Sequence, residues 1–383
     1  MADARSHART SGPLSGFRVL DLSRFFAGGY ATLALVDLGA DVVKVEPPKG
    51  GDPIRNMAPA HIGLNRGKRS ITLDTRHPDA VAVLKRLVRY FDVVVENNTP
   101  GTMEAMGFGF AEATVENPGV VWCSVTGFGQ DGPYVGRPGH DITYLGHSGF
   151  LRAMAEHLPF HPQTTIAVPV GALMGAMGVA AALAQRSVTG KGSRVDASLT
   201  DAATWLLSGD FITLSGMQRG GLGKTASRQF YTCSDGRMIT IAASEPRTWK
   251  AFCDAAGKPE WIDKLMAREE QEWLTGELSA LFATKPAAEW VATLGGANGC
   301  VGPVNDGPDL VDDPHAKARS MWIEVDGMHV PGNPVRLSDA TGTVTSQLSF
   351  AGPSALGADT DEIYAAAGFS DDELAALRAS GAV

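Results

Sequence analysis

Two short stretches of the chain carry residue types that can move a proton. His140 and Asp141 are adjacent, and Glu245 stands in a Ser-Glu-Pro segment. Histidine as a residue type titrates near neutral pH, which suits a general base, and a carboxylate that fixes its tautomer improves it. We therefore predict His140 as the proton-transfer residue, with Glu245 orienting it if the fold brings the two together.

Asp141 also has an ordinary structural explanation. A short polar residue just before an apolar run is a common helix-start signal. At such a start the side chain of Asp141 points away from His140, and we expect it to accept backbone N–H groups as a cap.

Two glycine-rich stretches imitate nucleotide-binding motifs without their structural context. GFGQDG (127–132) matches the spacing of the dinucleotide motif, but PYVGRPG follows where that motif needs a helix. QRGGLGKT (218–225) lacks both the first glycine of a phosphate loop and a preceding strand. We predict neither kind of site, and the absence of metal-ligand spacings predicts no metal.

Composition narrows the class of protein. The 383 residues are 44% hydrophobic, and the formal net charge of −9 argues against a nucleic-acid surface or an anionic membrane surface. The four cysteines form no C-x-x-C pair, which fits a reducing cytoplasm. The uncharged run at 168–184 is short and rich in alanine and glycine, so we expect a buried helix rather than a membrane span.

The elements that must position these residues alternate between strand and helix in the first half of the chain. Helical patterns at 25–40 and 78–90 are interleaved with runs of valine, isoleucine and leucine. Those runs predict strands at 17–23, 41–46, 70–74, 92–97 and 119–129. Such runs between helices indicate a parallel sheet covered on both faces, and hence an α/β domain.

The second half of the chain has a different sequence pattern. QFYTCSDGRMITIAA (229–243) has the pattern of a hairpin, short helical patterns follow it, and 351–381 contains two short amphipathic helices. The predicted organisation is a flexible tail at 1–13, a large domain at 14–210, a linker at 211–228, a small α+β domain at 229–320, and a C-terminal segment at 321–383 that returns to the large domain.

Several ordered stretches together resemble the family III CoA-transferase superfamily over nearly the whole chain. They include LSGFRVLDLSRFFAGGYATLALVDLGADVVKVEPPKGGDPIR (14–55), LNRGKRSITLD (64–74), DVVVENNTPGTMEAMGF (92–108), GHDITYLGHSG (139–149), TGKGSRVDASLTDA (189–202) and VPGNPVRLS (330–338). The resemblance implies a Rossmann-like large domain, a smaller domain, an interlaced homodimer, an acyl-CoA or related thioester as ligand, and no further cofactor.

Two details are similar to the alpha-methylacyl-CoA racemase branch, namely the histidine in GHDITYLGHSG and the segment AASEPRTW (242–249). The resemblance implies that His140 takes and returns the α-proton of the thioester, Asp141 offers its backbone N–H to the thioester oxygen, and Glu245 orients the histidine. The residues expected to hold the ligand are Arg24, Lys44, Arg66, Lys68, Arg69, Asn97, Asn98 and Met106.

The chain departs from the family pattern in two places. Relatives carry an aspartate before the apolar helix, whereas counting back from Leu183 places that position within Ala167–Pro169, where no carboxylate stands. Racemase relatives carry phosphate-binding arginines where this chain has Pro47, Thr99 and Ala105. Covalent CoA transfer through the aspartate is therefore not expected, whereas a proton transfer by His140 is still possible.

Three functions follow from these observations. The first is proton transfer next to the thioester, of the racemase, epimerase or isomerase kind. The second is CoA transfer between carboxylic acids by a route that does not use the aspartate. The third is a non-CoA enzyme or binding protein on the same scaffold.

Overall fold

The computed structural model of the protein describes residues 12–154, 159, 161–209, 225–346 and 349–383. The predicted tail at 1–13 and linker at 211–228 lie mostly outside the described residues. The chain divides into two compact units, of which the first joins Met1–Phe211 to His315–Val383 and the second is Ile212–Pro314. The C-terminal segment therefore belongs to the same unit as the first half of the chain.

A six-stranded sheet forms the centre of the first unit. Its strands are β1 (Arg18–Asp21), β2 (Asp41–Glu46), β3 (Arg69–Thr72), β4 (Val93–Glu96), β5 (Val121–Thr126) and β6 (Arg194–Ser198). All pair in parallel, in the order β3-β2-β1-β4-β5-β6. This confirms the predicted α/β class and parallel sheet.

Helices cover both faces of this sheet. They are α1 (Phe25–Asp37), α2 (Ala58–Asn65), α3 (Ala80–Leu87), α4 (Thr102–Met106), α5 (Phe110–Glu116), α6 (Asp141–His147), α7 (Phe150–Met154), α8 (Ala167–Thr189) and α9 (Leu199–Trp205). One core lies between the sheet and α1 and α8, and a second lies between the sheet and α3. The near-continuous apolar strands are explained by burial on both sides.

The C-terminal segment completes the second of these cores. It contains the hairpin of β10 (Trp322–Val325) and β11 (Met328–Pro331), followed by helices Thr360–Ala366 and Asp371–Ser380. Ile363, Tyr364 and Leu374 are buried there, and the Tyr364 hydroxyl donates to the carbonyl of Thr72 at 3.0 Å.

Helix α8 is the one helix in the described part of the chain that is long and apolar enough to cross a membrane. It packs on α1, α9, β5 and β6, and 44% of its most apolar window is buried. Helix α8, which we expected to be buried, is therefore buried along one side and exposed along the other.

The second unit has its own core. Strands β7 (Arg228–Thr232), β8 (Met238–Ala242) and β9 (Val301–Pro303) form an antiparallel sheet. The helices around it are Pro246–Ala255, Gln271–Phe282, Ala287–Leu294 and Gly307–Asp312, with 3-10 turns at Pro259–Lys264, Arg268–Glu270 and Gly295–Ala297. Trp249, Phe252, Phe282 and Trp290 are buried between these elements.

Candidate active site

The candidate site lies in the first unit, where β1, β4 and β5 end. Carboxyl ends of parallel strands share one edge of a sheet, so the segments that follow these strands come together there. Strand β2 pairs with β1 on one side and β4 pairs with β1 on the other, so the strand order reverses at β1. Ligands of open α/β sheets bind in the crevice at such a reversal of strand order.

A first cavity of about 480 Å³ opens at this edge. Asn97 and Asn98 after β4, Thr126 at the end of β5, and Arg137 and His140 from the following loop form much of its polar wall. The Thr126 hydroxyl is buried and has no hydrogen-bond partner among the described residues. A buried hydroxyl without a partner is costly, so a ligand polar group in this cavity would satisfy it.

A second cavity of about 880 Å³ adjoins the first, and its wall is more apolar. Phe25, Phe26, Ile142, Val168 and Leu199 contribute to it. The cavities share part of their walls, namely Ala27, Asn97, Gly139, His140, Tyr144 and Leu199. His140 therefore borders both a polar and a more apolar space.

His140 occupies the N-cap position of α6 with extended backbone, at φ −125° and ψ 174°. Its carbonyl accepts the N–H of Thr143 at 2.8 Å, which starts the helix, and its side chain is exposed. The imidazole has no hydrogen-bond partner within the described residues. It is therefore available to a ligand in either cavity.

Asp141 acts as a cap, but for a different helix from the one expected. Its carboxylate accepts the N–H of Ile166 at 3.0 Å and the N–H of Val168 at 2.8 Å, at the beginning of α8. Negative charge at a helix N-terminus is stabilising, and these bonds satisfy otherwise unpaired donors. The backbone N–H of Asp141 lies in the first turn of α6, where no intrahelical acceptor exists.

Phe25 occupies strained backbone at the rim of the second cavity. Its φ of +56° lies in the left-handed region that side chains other than glycine rarely adopt. The N–H of Phe25 donates to the Asp52 carboxylate at 3.1 Å, which helps to hold this conformation. Strained backbone of this kind is concentrated at ligand sites.

Lys44 and Lys68 do not reach either cavity wall. Lys44 is buried, with its Nζ 2.8 Å from the Asp52 carboxylate. Lys68 is also buried and donates to the Thr32 hydroxyl at 2.7 Å, with Asp21 3.5 Å away. Burial lowers the pKa of Lys68 to about 8, although Asp21 opposes the shift.

Arg66 and Arg69 are likewise engaged inside the first unit. Arg66 makes two 2.9 Å hydrogen bonds to the Asp37 carboxylate, and Arg69 pairs with Asp359 and with Glu362 of the C-terminal segment. Each of these four predicted ligand residues would have to break an internal ion pair to reach a ligand, which disfavours that role.

The remaining predicted ligand residues occupy loops at the strand ends. Asn97 pairs reciprocally with the backbone of Arg24, at 2.9 Å in each direction, and the Arg24 side chain is exposed. Asn98 donates to the Glu96 carboxylate. Met106 is partly buried against the second core of the unit.

Glu245 belongs to the second unit. It is the N-cap residue of helix Pro246–Ala255, and its exposed carboxylate accepts a 3.0 Å hydrogen bond from the Thr248 hydroxyl. This bond fixes the carboxylate locally without neutralising its charge.

The cavity walls contain further residues that were not predicted as ligand or catalytic groups, among them Thr126, Arg137, His161 and Val168. Arg137 is exposed, and its guanidinium lies 4.2 Å from the centre of the Tyr134 ring. The sequence signal that could have identified Arg137 is its position three residues before His140. Val168 falls within the three residues where we place the family's aspartate, and Asp141 is the one carboxylate among the described residues that line the second cavity.

The described residues contain no group of three or more histidine, cysteine or acidic side chains suited to a metal ion.

The fold and the two adjoining cavities define an α/β protein with a candidate small-molecule site at the carboxyl edge of a parallel sheet. A sequence profile described as CoA-transferase family III matches residues 14–360, and the chain belongs to this family. An acetyl-CoA:oxalate CoA-transferase of Acetobacter aceti is 31% identical over 356 residues, covering 86% of this chain and 90% of that protein. The human alpha-methylacyl-CoA racemase is 31% identical over 372 residues, covering 94% and 95% respectively.

A crystal structure of a CAIB/BAIF family protein from Brucella suis has the same fold. It superimposes with a TM-score of 0.78 and 29% identity, covering 93% of this chain and all 100% of that one. The family resemblance read from the sequence is thus confirmed. Both transferases and a racemase stand among the relatives, so the protein is an enzyme whose class the family leaves open.

Proposed function

We propose that this enzyme transfers a proton at the carbon next to the carbonyl of an acyl-CoA thioester, with His140 as the base. The observation that carries this proposal is the position of His140 in the wall common to a polar and a more apolar cavity. A CoA thioester also has a polar part, the pantetheine, and a more apolar part, the acyl chain, and the two parts meet at the thioester. With one part in each cavity, the reacting carbon lies at His140.

Removing this proton produces an enolate, whose oxygen needs a hydrogen-bond donor already in place. The backbone N–H of Asp141 is suited to that role because it lies in the first turn of α6 without an intrahelical acceptor. The Asp141 carboxylate is occupied by Ile166 and Val168, so it is not the base. That Glu245 orients the imidazole stays a prediction from the family resemblance.

The polar part of the ligand has several partners in the first cavity. The unpaired Thr126 hydroxyl and the amides of Asn97 and Asn98 suit the amide groups of pantetheine. Arg24 and Arg137 carry exposed guanidinium groups, and we assign them to the phosphates in place of the buried cations. These two arginines would replace the phosphate-binding arginines that racemase relatives carry at the positions of Pro47, Thr99 and Ala105.

A homodimer is proposed from the outer face of α8. Leu173, Met177 and Val188 are 54%, 63% and 86% exposed and lie on one stripe of the helix, with two exposed alanines between them. An uncharged, exposed stripe on a helix of this length indicates a protein partner, and a second copy is the one that the family resemblance implies.

A cytoplasmic location is proposed from the cysteines. All four are free thiols, and Cys123, Cys233 and Cys253 are buried. Unpaired cysteines are typical of reducing compartments.

Incubation with 2-methyl-branched and straight-chain acyl-CoA thioesters in heavy water tests the proposed reaction. We expect deuterium to enter the α-carbon, detected by mass spectrometry, and His140→Ala to slow this exchange by about 10²- to 10⁴-fold for at least one enantiomer of the branched thioester. His329→Ala is the matched control, because His329 is exposed and lines neither cavity. Absence of exchange with every thioester would overturn the proposal.

The same preparation separates the two other functions. CoA transfer predicts that labelled CoA moves to an added carboxylic acid, and hydroxylamine then traps any acylated residue. A non-CoA function predicts CoA binding weaker than about millimolar, which corresponds to a binding free energy of only about −4 kcal/mol.

A further inference from the structure

His161 lines the more apolar cavity together with His140, and its side chain is exposed to that space. The two imidazoles come from different segments of the chain. His140 precedes α6, whereas His161 lies in the segment that enters α8. Among the described residues that line this cavity, they are the two histidines.

The backbone around His161 is held at two points. Pro162 is buried, and a residue that precedes proline is restricted to extended conformations. Four residues further on, the Asp141 carboxylate binds the N–H of Ile166 and then that of Val168. Because Asp141 directly follows His140, these bonds tie the segment of His161 to the segment of His140.

The cavity offers few alternatives for a second proton donor. Val168 stands in the wall within the three residues where we place the family's aspartate, and Asp141, the carboxylate present, has both oxygens in hydrogen bonds to backbone. Thr164 and Thr165 also line the cavity, but hydroxyl groups of threonine are weak acids at neutral pH. The hydroxyl of Tyr144, another lining residue, already donates to the carbonyl of Gly139 at 2.7 Å.

We propose that His161 is the second acid–base residue and serves the face of the α-carbon opposite His140. This inference rests on the proposed function. His140 takes the α-proton while the C–H electron pair moves into the enolate, and protonated His161 donates its N–H proton to the α-carbon as the enolate collapses. Each imidazole then exchanges its proton with solvent, and the roles reverse for the other enantiomer.

The two enantiomers of 2-methylbutyryl-CoA in heavy water distinguish the two bases. We expect the wild-type enzyme to exchange and to interconvert both. His161→Gln is expected to exchange the α-proton of one enantiomer only, with racemisation slowed by about 10²-fold or more. His140→Gln is expected to act on the opposite enantiomer, and His329→Ala to behave as wild type.

A conservative variant tests the role further. His161→Asp supplies a different acid–base group, and we expect it to regain part of the racemisation with a shifted pH profile, which a merely structural histidine would not show. Circular dichroism melting confirms that each variant is folded.

Two results would overturn the inference. One is a His161→Gln enzyme that still racemises both enantiomers at the wild-type rate. The other is a wild-type enzyme that exchanges one enantiomer without racemising it, which leaves the proposed function of His140 intact. If the wild-type enzyme exchanges neither, the proposed function fails together with the inference.

Discussion

The Asp141 carboxylate accepts a 2.8 Å hydrogen bond from the backbone N–H of Val168, which joins the first turn of α6 to the first turn of α8. A second bond from Ile166 strengthens the connection. The residue next to the proposed base therefore positions the start of α8, which contributes Val168 to the same cavity. This capping role of Asp141 depends on the tertiary structure, because it requires the N-termini of α6 and α8 to lie close together.

Replacing this cap is expected to affect stability and catalysis together. Asp141→Ala leaves the N–H groups of Ile166 and Val168 without their acceptor, so the free energy of unfolding should fall by about 1–3 kcal/mol. Urea unfolding measures this loss, and α-proton exchange should slow because His161 and Val168 shift. Asp196→Ala is the comparison, since that carboxylate accepts one loop N–H, from Gln130. Unchanged stability of Asp141→Ala would contradict the capping role.

The buried cations are expected to support the fold and not the ligand. Arg66→Met leaves the buried Asp37 carboxylate unpaired, which should cost about 3–5 kcal/mol of stability. The KM for acyl-CoA of the folded fraction should remain near the wild-type value. Unfolding curves and steady-state kinetics on the same preparation distinguish these effects.

Replacing an exposed arginine should weaken ligand binding without lowering the stability of the protein. Arg137→Ala removes a cation from the wall of the first cavity, where it has no ion-pair partner among the residues that the structure describes. We expect affinity for CoA to fall by about 1.5–3 kcal/mol with unchanged melting temperature, because a hydrogen bond to a charged group contributes that much. Isothermal titration with CoA and with pantetheine checks this, since pantetheine lacks the nucleotide phosphates and should bind both enzymes equally.

Lys68 predicts a pH dependence of stability. Its folded pKa of about 8 is below the ordinary value of 10.5, so above pH 8 the folded state binds fewer protons than the unfolded state. The contribution of Lys68 to stability should therefore rise with pH between about 8 and 10, and decline as pH falls through 8. The difference in unfolding free energy between wild type and Lys68→Met measures it, and a difference that falls with rising pH would contradict the assignment.

The apolar stripe of α8 predicts an assembly defect. Met177→Glu places a charge in the centre of the stripe and should convert a dimer to monomers in analytical ultracentrifugation. Val115→Glu is the matched control, because Val115 is 81% exposed on α5. A monomeric wild-type protein would contradict the proposed dimer directly.

Strand β6 shows where local pattern was insufficient. The other five strands of the sheet are buried runs rich in branched residues, and their positions follow from sequence to within a few residues. In β6, Arg194 and Asp196 are exposed, so the first half of the strand alternates in burial and lacks the continuous apolar signal of a strand that is buried on both faces.

The residue type of His140 and the family resemblance made it the residue to test, whereas composition and apolar spacing determined the α/β class, the parallel sheet and the change of sequence pattern in the second half of the chain. These depend on local periodicity, which each segment carries alone. Only the tertiary structure decided that Lys44, Arg66, Lys68 and Arg69 face inward, because a basic residue has the same letter whether its partner is a phosphate or a buried aspartate. It likewise decided that His161 shares a cavity with His140, since contacts between distant segments depend on how the helices pack against the sheet.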